Sequence, residues 1–411
     1  MTPRERILAA LAHCEPDVLP IDFGGMRSTG INAMAYGRLK RHLGIEGGAI
    51  RVYDVFQQLA EPEEPVLKRV GGDVVQLHRL APSFGIPIDE WKDDTLSDGT
   101  PCLVPAGLNP IRNERGDLLL YHHGVLIASM PAGYDYYNPI HHPMSDCRTR
   151  ADIDKFPVER ISDPELAFLR ATARRLDETT DYAILGSFGG NILEAGQLSF
   201  GYERFMCLLG SEPDLVRHYF ERLTAGYLAD LERYLDAVGE FIQVIQFGDD
   251  LGGQSGPQIS ARMYRELIKP CHQALYRYAR QRSRAQVFLH CCGSIRSFIP
   301  DLIDAGVQIL NPVQISAKNM DPTDLKREFG RDLVFWGGGA NMQYVVPTGT
   351  LDEIRADVRR LIDIFAPGGG FVFNQVHNIQ SNVPPEKVLA IYDTALEYRR
   401  EQRGRAPGKE G

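Results

Sequence analysis

The sequence lacks the features of a membrane, secreted or nucleic-acid-binding protein. No uninterrupted apolar run approaches the roughly 20 residues needed to span a bilayer, and the opening segment from Met1 to Arg6 has no apolar signal core. Only seven cysteines are scattered over 411 residues, an odd number that suits a reducing compartment and not a disulfide framework. The formal charge of -9 and the lack of a basic patch argue against a phosphate-backbone partner. We therefore expect a cytoplasmic protein without membrane or nucleic-acid partners.

The chain also lacks internal repeats, low-complexity tracts and a Gly/Ser linker that would divide it. Instead, short apolar runs alternate with amphipathic helical patterns, which is typical of parallel strands joined by right-handed crossovers. About eight such runs predict an α/β fold, a (β/α)8 TIM barrel. A doubly wound open sheet is the alternative, but no Gly-x-Gly-x-x-Gly follows an early strand. The predicted strands are 19–23, 73–77, 183–187, 242–247, 286–290, 307–311, 333–336 and 371–374, and the predicted helices are 213–237, 260–280, 295–305, 351–365 and 384–402.

A stretch from about 80 to 155 breaks this alternation. It holds many Pro, Gly and His residues, and Asn113 to Asp117 is typical of a hairpin turn. We expect a β-rich insertion that caps the barrel mouth within a single domain, 1–402, followed by a disordered tail, 403–411. Five ring side chains of the insertion could contact a substrate or could be ordinary loop residues: Tyr134, Tyr136, Tyr137, His122 and His123.

The segment from Val287 to Ser294 carries candidate metal ligands. Three apolar residues lead directly into His290-Cys291-Cys292 and a Gly-Ser pair. In a strand, residues i and i+2 share a face, so His290 and Cys292 could bind one metal ion while Cys291 points away. The alternative is a buried strand ending in two inert cysteines. We expect Ser294 to be the N-cap of the helix that follows.

Polar residues follow other predicted strands, at the end where barrel enzymes place their chemistry. Asp249 and Asp250 could act as catalytic acid or base, or could simply cap a turn. His377 follows the last strand, so with His290 and Cys292 it would give three ligands and an open position, the pattern of catalytic zinc. We expect His272, within a helix, to be a surface or packing residue. The candidate substrate-binding residues are Asn191, Asn311, Asn341 and Asn374.

Several motifs resemble those of the uroporphyrinogen decarboxylase superfamily, which also contains zinc-dependent methylcobamide:thiol methyltransferases. The resemblance covers most of the chain and implies a (β/α)8 barrel with its site at the C-terminal mouth. The matching motifs are the opening pattern Arg4, Arg6, Ala10, Leu11 and His13, the segment Gly248 to Gly252 followed by Ile259 to Tyr264, the His290-x-Cys292-Gly-Ser turn, and the helix start Pro384-Pro-Glu386.

The resemblance separates two chemistries. The decarboxylases proper bind a tetrapyrrole with many carboxylates through an arginine-rich N-terminal loop and use no metal. The matching region here, 22–30, offers only Arg27, so several desolvated carboxylates would be poorly compensated. The methyltransferase branch carries His-x-Cys at one strand end and a Cys at the last, and His377 occupies the position of that Cys. Two imidazoles and one thiolate make a site more positive by one charge and therefore a stronger Lewis acid.

The resemblance therefore implies a zinc-dependent methyltransferase. A methyl group would move between a small O-, N- or S-methyl substrate, or a thiol, and a corrinoid (cobalamin) cofactor. Because the chain has no Asp-x-His-x-x-Gly corrinoid-binding motif, a separate partner protein would carry the corrinoid. Two alternatives remain: a metal-independent decarboxylase or lyase with Asp249 or Asp250 as proton donor, and a non-catalytic binding or regulatory barrel.

Overall fold

The computed structural model describes residues 1–405. At its centre, seven parallel strands pair with their neighbours in chain order. These strands are short, almost completely buried runs rich in Val, Ile, Leu and Phe, as expected for strands covered on both faces. They are β1 (Val74–Leu77), β2 (Ala183–Gly189), β3 (Val244–Gly248), β4 (Gln286–His290), β5 (Ile309–Asn311), β6 (Val334–Trp336) and β7 (Phe371–Val372).

The segment around Ile21 closes this sheet into a barrel. On one side, the amide of Asp22 donates to the carbonyl of Phe373 at 2.8 Å, and the amide of Phe373 donates to the carbonyl of Pro20 at 2.9 Å. On the other side, the amide of Asp73 donates to the carbonyl of Ile21 at 2.7 Å. This segment is the first of the eight predicted strands. The (β/α)8 prediction is confirmed and the open-sheet alternative is excluded.

Helices follow the strands and pack on the outside of the barrel. The helix predicted at 260–280 contains a π turn, Tyr264–Ile268, and the one predicted at 295–305 begins with a 3-10 turn, Arg296–Phe298. The helices are Pro3–Leu11, Ala33–His42, Glu64–Val70, Arg150–Asp154, Asp163–Thr179, Leu193–Phe200, Tyr202–Ser211, Pro213–Val238, Ala261–Met263, Lys269–Arg282, Ile299–Ala305, Pro322–Phe329, Val345–Thr348, Leu351–Phe365 and Pro385–Arg405.

The prediction that Ser294 caps a helix is wrong. The Ser294 hydroxyl donates to the carbonyl of Lys318 at 2.5 Å, and its amide donates to the carbonyl of Gly253 at 2.8 Å. Ile295 occupies the cap position of the 3-10 turn and makes no side-chain cap bond. Ser294 therefore joins two loops at the barrel mouth, because the turn after β4 packs against its neighbours before the helix starts.

The β-rich insertion is present and consists of antiparallel strands. Ile111–Arg112 pairs with Leu118–His122 across the predicted Asn113–Asp117 turn, which confirms the hairpin. Tyr136 accepts a hydrogen bond from Gln380 Nε2 at 3.1 Å, so the insertion contacts the loop that follows β7. Its strands are Trp91–Thr95, Pro101–Pro105, Ile111–Arg112, Leu118–His122, Val125–Met130 and Asn138–Pro139, and a small hairpin before β1 pairs Val52–Asp54 with Leu59–Ala60.

The last helix, Pro385–Arg405, continues three residues beyond residue 402, where the predicted tail was expected to begin. The remainder of that predicted tail, 406–411, lies outside the described residues. Within residues 1–405, no helix combines the length and apolar character needed to cross a bilayer.

A buried charge cluster ties both ends of the chain to the amino end of the barrel. The Asp73 carboxylate accepts from the amide of Ile21 at 2.8 Å and pairs with the guanidinium groups of Arg6 and Arg399. Arg399 also donates to the carbonyl of Leu19 at 2.6 Å. The first helix, the closing segment and the last helix are thus held at one point, on the side opposite the mouth.

Candidate metal centre at the barrel mouth

Three side chains converge at the carboxyl ends of β4 and β7. The ligand atoms of His290, Cys292 and His377 all lie within 4.8 Å of one another. His290 Nε2 and Cys292 Sγ are 3.3 Å apart, and the ring centroids of His290 and His377 are 5.7 Å apart. The structure therefore brings together the three residues that the sequence singled out.

The end of β4 delivers two of these residues to the same side. His290 is the last residue of the strand, and Cys292 follows two positions later. The thiol of Cys291 instead lies in the hydrophobic core, where its sulfur accepts from the amide of Leu251 at 3.4 Å. Gly293 then turns the chain at φ +90°, with no room for a side chain against the loop after β3. The two adjacent cysteines therefore lie on opposite sides of the chain, as the alternation along a strand predicts.

Asn311 fixes the tautomer of His290. Asn311 Nδ2 donates to the carbonyl of Trp336 at 2.9 Å, which leaves Oδ1 as the acceptor for His290 Nδ1–H at 2.7 Å. The unprotonated Nε2 of His290 therefore faces Cys292, whose Sγ lies 3.3 Å away. Histidines that bind metals are commonly oriented in this way. We predicted that Asn311 binds substrate. In the structure it is fully buried, and its side chain contacts His290 instead.

His377 is prepared to act as a neutral ligand. Burial, with the neighbouring His290 and Arg27, lowers the pKa of His377 to about 3, so the imidazole is uncharged at neutral pH. Its backbone lies in the left-handed region, at φ +59°, a conformation that histidine adopts more readily than most residues. This turn after β7 places the ring opposite His290.

Asp250 lies beside the Cys292 thiol. Its Oδ1 accepts from the amide of Cys292 at 2.7 Å and lies 3.8 Å from His290 Nε2. Burial, and then the charge of Asp250, raise the pKa of Cys292 well above its ordinary value. A bound cation would reverse this effect, because it favours the thiolate. The Asp250 carboxylate therefore adds negative charge beside the three candidate ligands.

Asp249 occupies a structural position. It is fully buried, and its carboxylate accepts from the amides of Leu193 and Glu194, at 2.9 and 3.0 Å, at the start of the helix after β2. It also bonds to His272 Nε2 at 3.0 Å. His272 is itself fully buried, so it is a packing residue and not a surface residue. Of the aspartate pair, only Asp250, with a side chain 32% exposed, reaches the ligand set.

Glu194 is a candidate that the sequence reading did not include among its site residues. Its Oε2 accepts from Asn191 Nδ2 at 2.6 Å and from the amide of Asp250 at 3.0 Å. Burial, followed by the charges of Asp250 and Asp249, raises the pKa of Glu194 to about 8. The side chain therefore holds a proton at neutral pH. Acidic residues are common in the first turn of helices, so its sequence position alone does not mark it as functional.

The other predicted asparagines are engaged in the protein. Asn191 holds Glu194, and Asn341 Oδ1 accepts from the amides of Gln343 and Tyr344 at 3.2 and 3.0 Å. Asn374 is fully buried and donates to the carbonyl of Asp22 at 3.2 Å. Asn341 and Asn374 therefore stabilise loops, and neither contacts the three candidate ligands through these bonds.

The ring residues of the insertion divide into two groups. Tyr136 reaches Gln380 near the mouth, and Tyr137 is buried against Phe84 with ring centroids 5.7 Å apart. The exposed ones are Tyr134, His122 and His123. The last two lie at a hairpin tip, where their rings meet edge to face with centroids 4.2 Å apart.

Arg27, the arginine of the N-terminal loop, is matched by an internal partner. Its guanidinium lies 2.7 Å from Oδ2 of the fully buried Asp54 and 5.9 Å from the ring centroid of Phe56. The neighbouring Ser28 donates to Asn311 at 3.0 Å, which places this loop directly beneath His290. Arg27 therefore brings one already paired cation to the mouth.

The family model and the curated relatives that match this chain carry the same family name. Residues 104–398 match the family model described as uroporphyrinogen decarboxylase (URO-D). The uroporphyrinogen decarboxylase of Methylococcus capsulatus is 26% identical over 277 residues, which cover 65% of this chain and 72% of that protein. That of Neisseria meningitidis serogroup C is 23% identical over 266 residues, 62% and 70% of the two chains.

Among solved structures, a methyltransferase from Methanosarcina mazei has the same fold. It superposes with a TM-score of 0.62 over 97% of this chain and 99% of that one, at 16% sequence identity. The similarity includes nearly every element described above.

Proposed function

This chain belongs to the uroporphyrinogen decarboxylase family, and from that premise we propose that it is a zinc-dependent methyltransferase. The methyl group moves between a small O-, N- or S-methyl substrate, or a thiol, and a corrinoid on a partner protein. We place the reaction in the cytoplasm, where the seven free cysteines stay reduced. The observation that carries the proposal is the convergence of His290, Cys292 and His377 within 4.8 Å.

The donor set fits zinc. Imidazole nitrogen and thiolate sulfur are preferred zinc ligands, and three protein ligands with an open position are typical of catalytic sites. His290 presents its unprotonated Nε2 toward Cys292, and His377 is neutral. The Asp250 carboxylate beside Cys292 supplies negative charge that would attract a cation. Each of the three donors is thus suited to the ion for a separate physical reason.

Zinc held by His290, Cys292 and His377 would supply a Lewis acid to the heteroatom that releases the methyl group, or to the thiol that receives it. With His377 where the methyltransferase branch has a cysteine, the site is more positive by one charge. A more positive site is better suited to polarising the heteroatom of a methyl ether or methylamine. It is less suited to keeping a bound acceptor thiolate electron-rich and nucleophilic. We therefore propose a methylated ether or amine as the first substrate class to examine.

The chain's own residues position the ligands and hold a proton. Asn311 orients His290, and Asp250 holds the turn at Cys292 through its amide. Glu194, protonated at neutral pH, lies one hydrogen bond from the backbone of Asp250. The heteroatom left behind by a departing methyl group needs a proton, and Glu194 is the group placed to provide it.

Two further observations support the methyltransferase branch. The Methanosarcina mazei protein, named a methyltransferase, shares the fold over almost the whole chain. The one arginine of the N-terminal loop, Arg27, is paired with Asp54. A tetrapyrrole with several carboxylates would therefore have to desolvate charges that this loop does not compensate.

A metal-independent decarboxylase or lyase is the second candidate. The raised pKa of Glu194 favours it, because it keeps a proton donor beside Asp250 without any metal. Relatives named uroporphyrinogen decarboxylase point in the same direction. In this alternative Glu194 replaces Asp249 as the donor, since Asp249 is fully buried and its carboxylate is already bonded to two amides and His272.

Methylation of cob(I)alamin tests the proposed function. Purified protein is incubated with the reduced corrinoid and a panel of methyl ethers, methylamines and methyl thioethers, and methylcobalamin is followed by absorbance. Cys292→Ser should reduce the rate by more than about 100-fold, beyond the roughly 10–100-fold typical when only a ligand's hydrogen-bond partner is lost. Release of carbon dioxide from a carboxylated substrate by zinc-free protein would instead establish the second candidate.

A further inference from the structure

The lumen of the barrel changes from apolar to polar towards the mouth. Inward-pointing side chains alternate along a strand, so Leu185 and Ser187 of β2 share the lumen face, as do Val244 and Gln246 of β3. Leu185 and Val244 belong to an apolar cluster to which all seven strands contribute. The residues above them are polar and largely buried, since Ser187 is 8% exposed and Gln246 is 7% exposed. A buried polar layer therefore lies between the apolar cluster and the mouth.

Ser187 presents a hydroxyl donor to the lumen. Its Oγ accepts from Gln76 Nε2 at 3.0 Å, and Gln76 Oε1 accepts from Tyr53 Oη at 3.1 Å. Among residues 1–405, no acceptor lies within hydrogen-bond reach of the Ser187 hydroxyl hydrogen. Because an unpaired buried donor is costly, this position is suited to a bound group that accepts a hydrogen bond.

Gln246 borders a space that Gly248 leaves open. A side-chain carbon at Gly248 would meet Gln246 Nε2 at 3.3 Å and Asn191 Nδ2 at 3.1 Å, so two amide nitrogens face this space. In the part of the chain that the structure describes, the Gln246 amide has no hydrogen-bond partner. Gly248 is the register partner of His290, and paired strands lie roughly 4.8 Å apart. The open space therefore adjoins the strand that carries two of the candidate metal ligands.

The charges around this space disfavour an anionic ligand group. Glu194 lies one hydrogen bond from the space, and burial, followed by the charges of Asp250 and Asp249, raises its pKa to about 8. These surroundings therefore oppose a further negative charge. Arg79 brings no free cation, since its guanidinium is paired with Glu165 at 2.5 Å. A carboxylate bound here would lack a compensating charge.

A cationic ligand group does not match the donors either. An alkylated ammonium group has no lone pair, so it would leave the Ser187 hydroxyl and the Gln246 amide N–H groups unpaired. Ser187 and Gln246 are register partners in adjacent strands, which places these donors side by side. The group that satisfies them is an uncharged oxygen with free lone pairs.

We propose that Ser187 and Gln246 form a subsite for an uncharged oxygen acceptor of the substrate, such as an amide, ketone or hydroxyl oxygen. The inference rests on the proposed function and narrows its substrate class. The substrate is then a small methyl ether that carries such a group, in preference to a methylated carboxylate or a methylammonium compound.

Binding of four matched methyl ethers to the purified full chain tests this subsite. The probes share a methoxymethyl group and differ at the other end: methoxyacetamide is neutral and polar, methoxyacetate is anionic, 2-methoxyethylamine is cationic, and 1-methoxypropane is apolar. Each Kd is measured by ligand-observed NMR titration, which needs no turnover. We expect the wild type to bind methoxyacetamide about tenfold more tightly than any of the other three.

Two variants connect this preference to the proposed residues. Gln246→Leu and Ser187→Ala each remove a donor, so each should raise the Kd for methoxyacetamide by roughly 5- to 10-fold and leave that for 1-methoxypropane unchanged. Gln243→Leu is the matched control, because Gln243 precedes β3 at its other end and accepts from the amide of Ile184 at 2.7 Å. It should lower stability without changing any Kd. Circular dichroism shows that each variant remains folded.

Tighter binding of methoxyacetate or 2-methoxyethylamine by the wild type would overturn the inference. So would a lack of saturable binding of methoxyacetamide, or an equal Kd for it in the wild type, Gln246→Leu and Ser187→Ala. Methyl transfer to cob(I)alamin is measured separately. If methoxyacetamide binds through Gln246 but no methyl donor is accepted, the proposed function fails and the subsite stands. If methyl groups are transferred with a donor KM that neither variant changes, only the subsite is contradicted.

Discussion

Asn311 controls the candidate metal centre through one hydrogen bond to His290 Nδ1, 2.7 Å long. Asn311→Ala removes that acceptor, so the imidazole ring can rotate and can adopt the tautomer that protonates Nε2. We expect zinc affinity to fall by about 10–100-fold, measured by competition with a chromogenic chelator.

Asn374→Ala is the control for this substitution. Asn374 is equally buried after the last strand, but it donates to the carbonyl of Asp22 and not to a candidate ligand. It should lower stability while zinc affinity is retained. Similar losses of affinity in both variants would show that general loosening of the barrel, and not the His290 contact, is responsible.

Glu194 makes stability depend on pH. Its carboxyl group titrates near the ordinary 4.5 in the unfolded chain and near 8 in the folded protein. Between these values the folded protein binds one more proton, so the free energy of unfolding falls as pH rises from about 5 to 8. In metal-free protein, Glu194→Gln should remove at least about 1 kcal/mol of this decline, measured by urea denaturation. Identical pH dependence in the two proteins would contradict the assignment.

The convergence of the three candidate ligands was predictable residue by residue, whereas their surroundings were not. Alternation along a strand separates Cys292 from Cys291, and a barrel gathers strand ends, which brings in His377. Nothing in the sequence distinguishes Asp249 from Asp250. The two roles differ because the Asp249 carboxylate contacts the first amides of the helix Leu193–Phe200, and this tertiary contact has no sequence signal. Burial, followed by the charges of Asp250 and Asp249 from another loop, raises the pKa of Glu194 to about 8, and neither effect is visible in the sequence.

Among the elements, the helix Leu193–Phe200 depends on a residue from a different loop. Asp249 accepts from its first two amides and from the buried His272. Asp249→Ala leaves these donors without partners, and we expect it to lower the free energy of unfolding by about 2–4 kcal/mol. Asp250→Ala should cost less than about 1 kcal/mol, since Asp250 is partly exposed. Comparable losses from both would contradict the division of roles.

The five predicted helices lie within a few residues of helices in the structure, whereas the long helix Asp163–Thr179 was not predicted. The exception is the turn after β4, where Ser294 has the sequence character of an N-cap but bonds to the carbonyl of Lys318. A cap is a local signal, and here a tertiary contact between two mouth loops replaces it. The same packing joins the loops that carry Gly253 and Lys318.

At the scale of the whole molecule, the barrel depends on a buried cluster that joins distant parts of the chain. Asp73 pairs with Arg6 and Arg399 and accepts from the amide of Ile21. Asp73→Ala leaves the buried Arg399 without its carboxylate partner and Arg6 with only the partly exposed Asp17, and we expect a loss of about 3–5 kcal/mol in the free energy of unfolding. Asp352→Ala, which removes an exposed ion pair with Arg355, is the control and should cost less than about 1 kcal/mol.

The architecture was predictable because eight buried strands alternating with helices have few solutions. The sequence shows the segment around Ile21 only as a short apolar run and does not show that it closes the barrel. Its hydrogen bonds to Phe373 and Asp73 connect residues more than 50 positions apart. The Arg6, Asp73 and Arg399 cluster could not be predicted, because ordinary charged residues carry no sign of their distant partners.

The central claim is that His290, Cys292 and His377 bind one zinc ion, and the metal content of purified protein tests it most directly. Mass spectrometry should find about one zinc per chain in the wild type and in Cys291→Ser, whose sulfur lies in the core. Zinc should be lost from Cys292→Ser and from His377→Ala. An absence of zinc from wild-type protein that was never exposed to a chelator would contradict the account, as would equal zinc content in all four proteins. Either result would favour the metal-independent chemistry of Glu194.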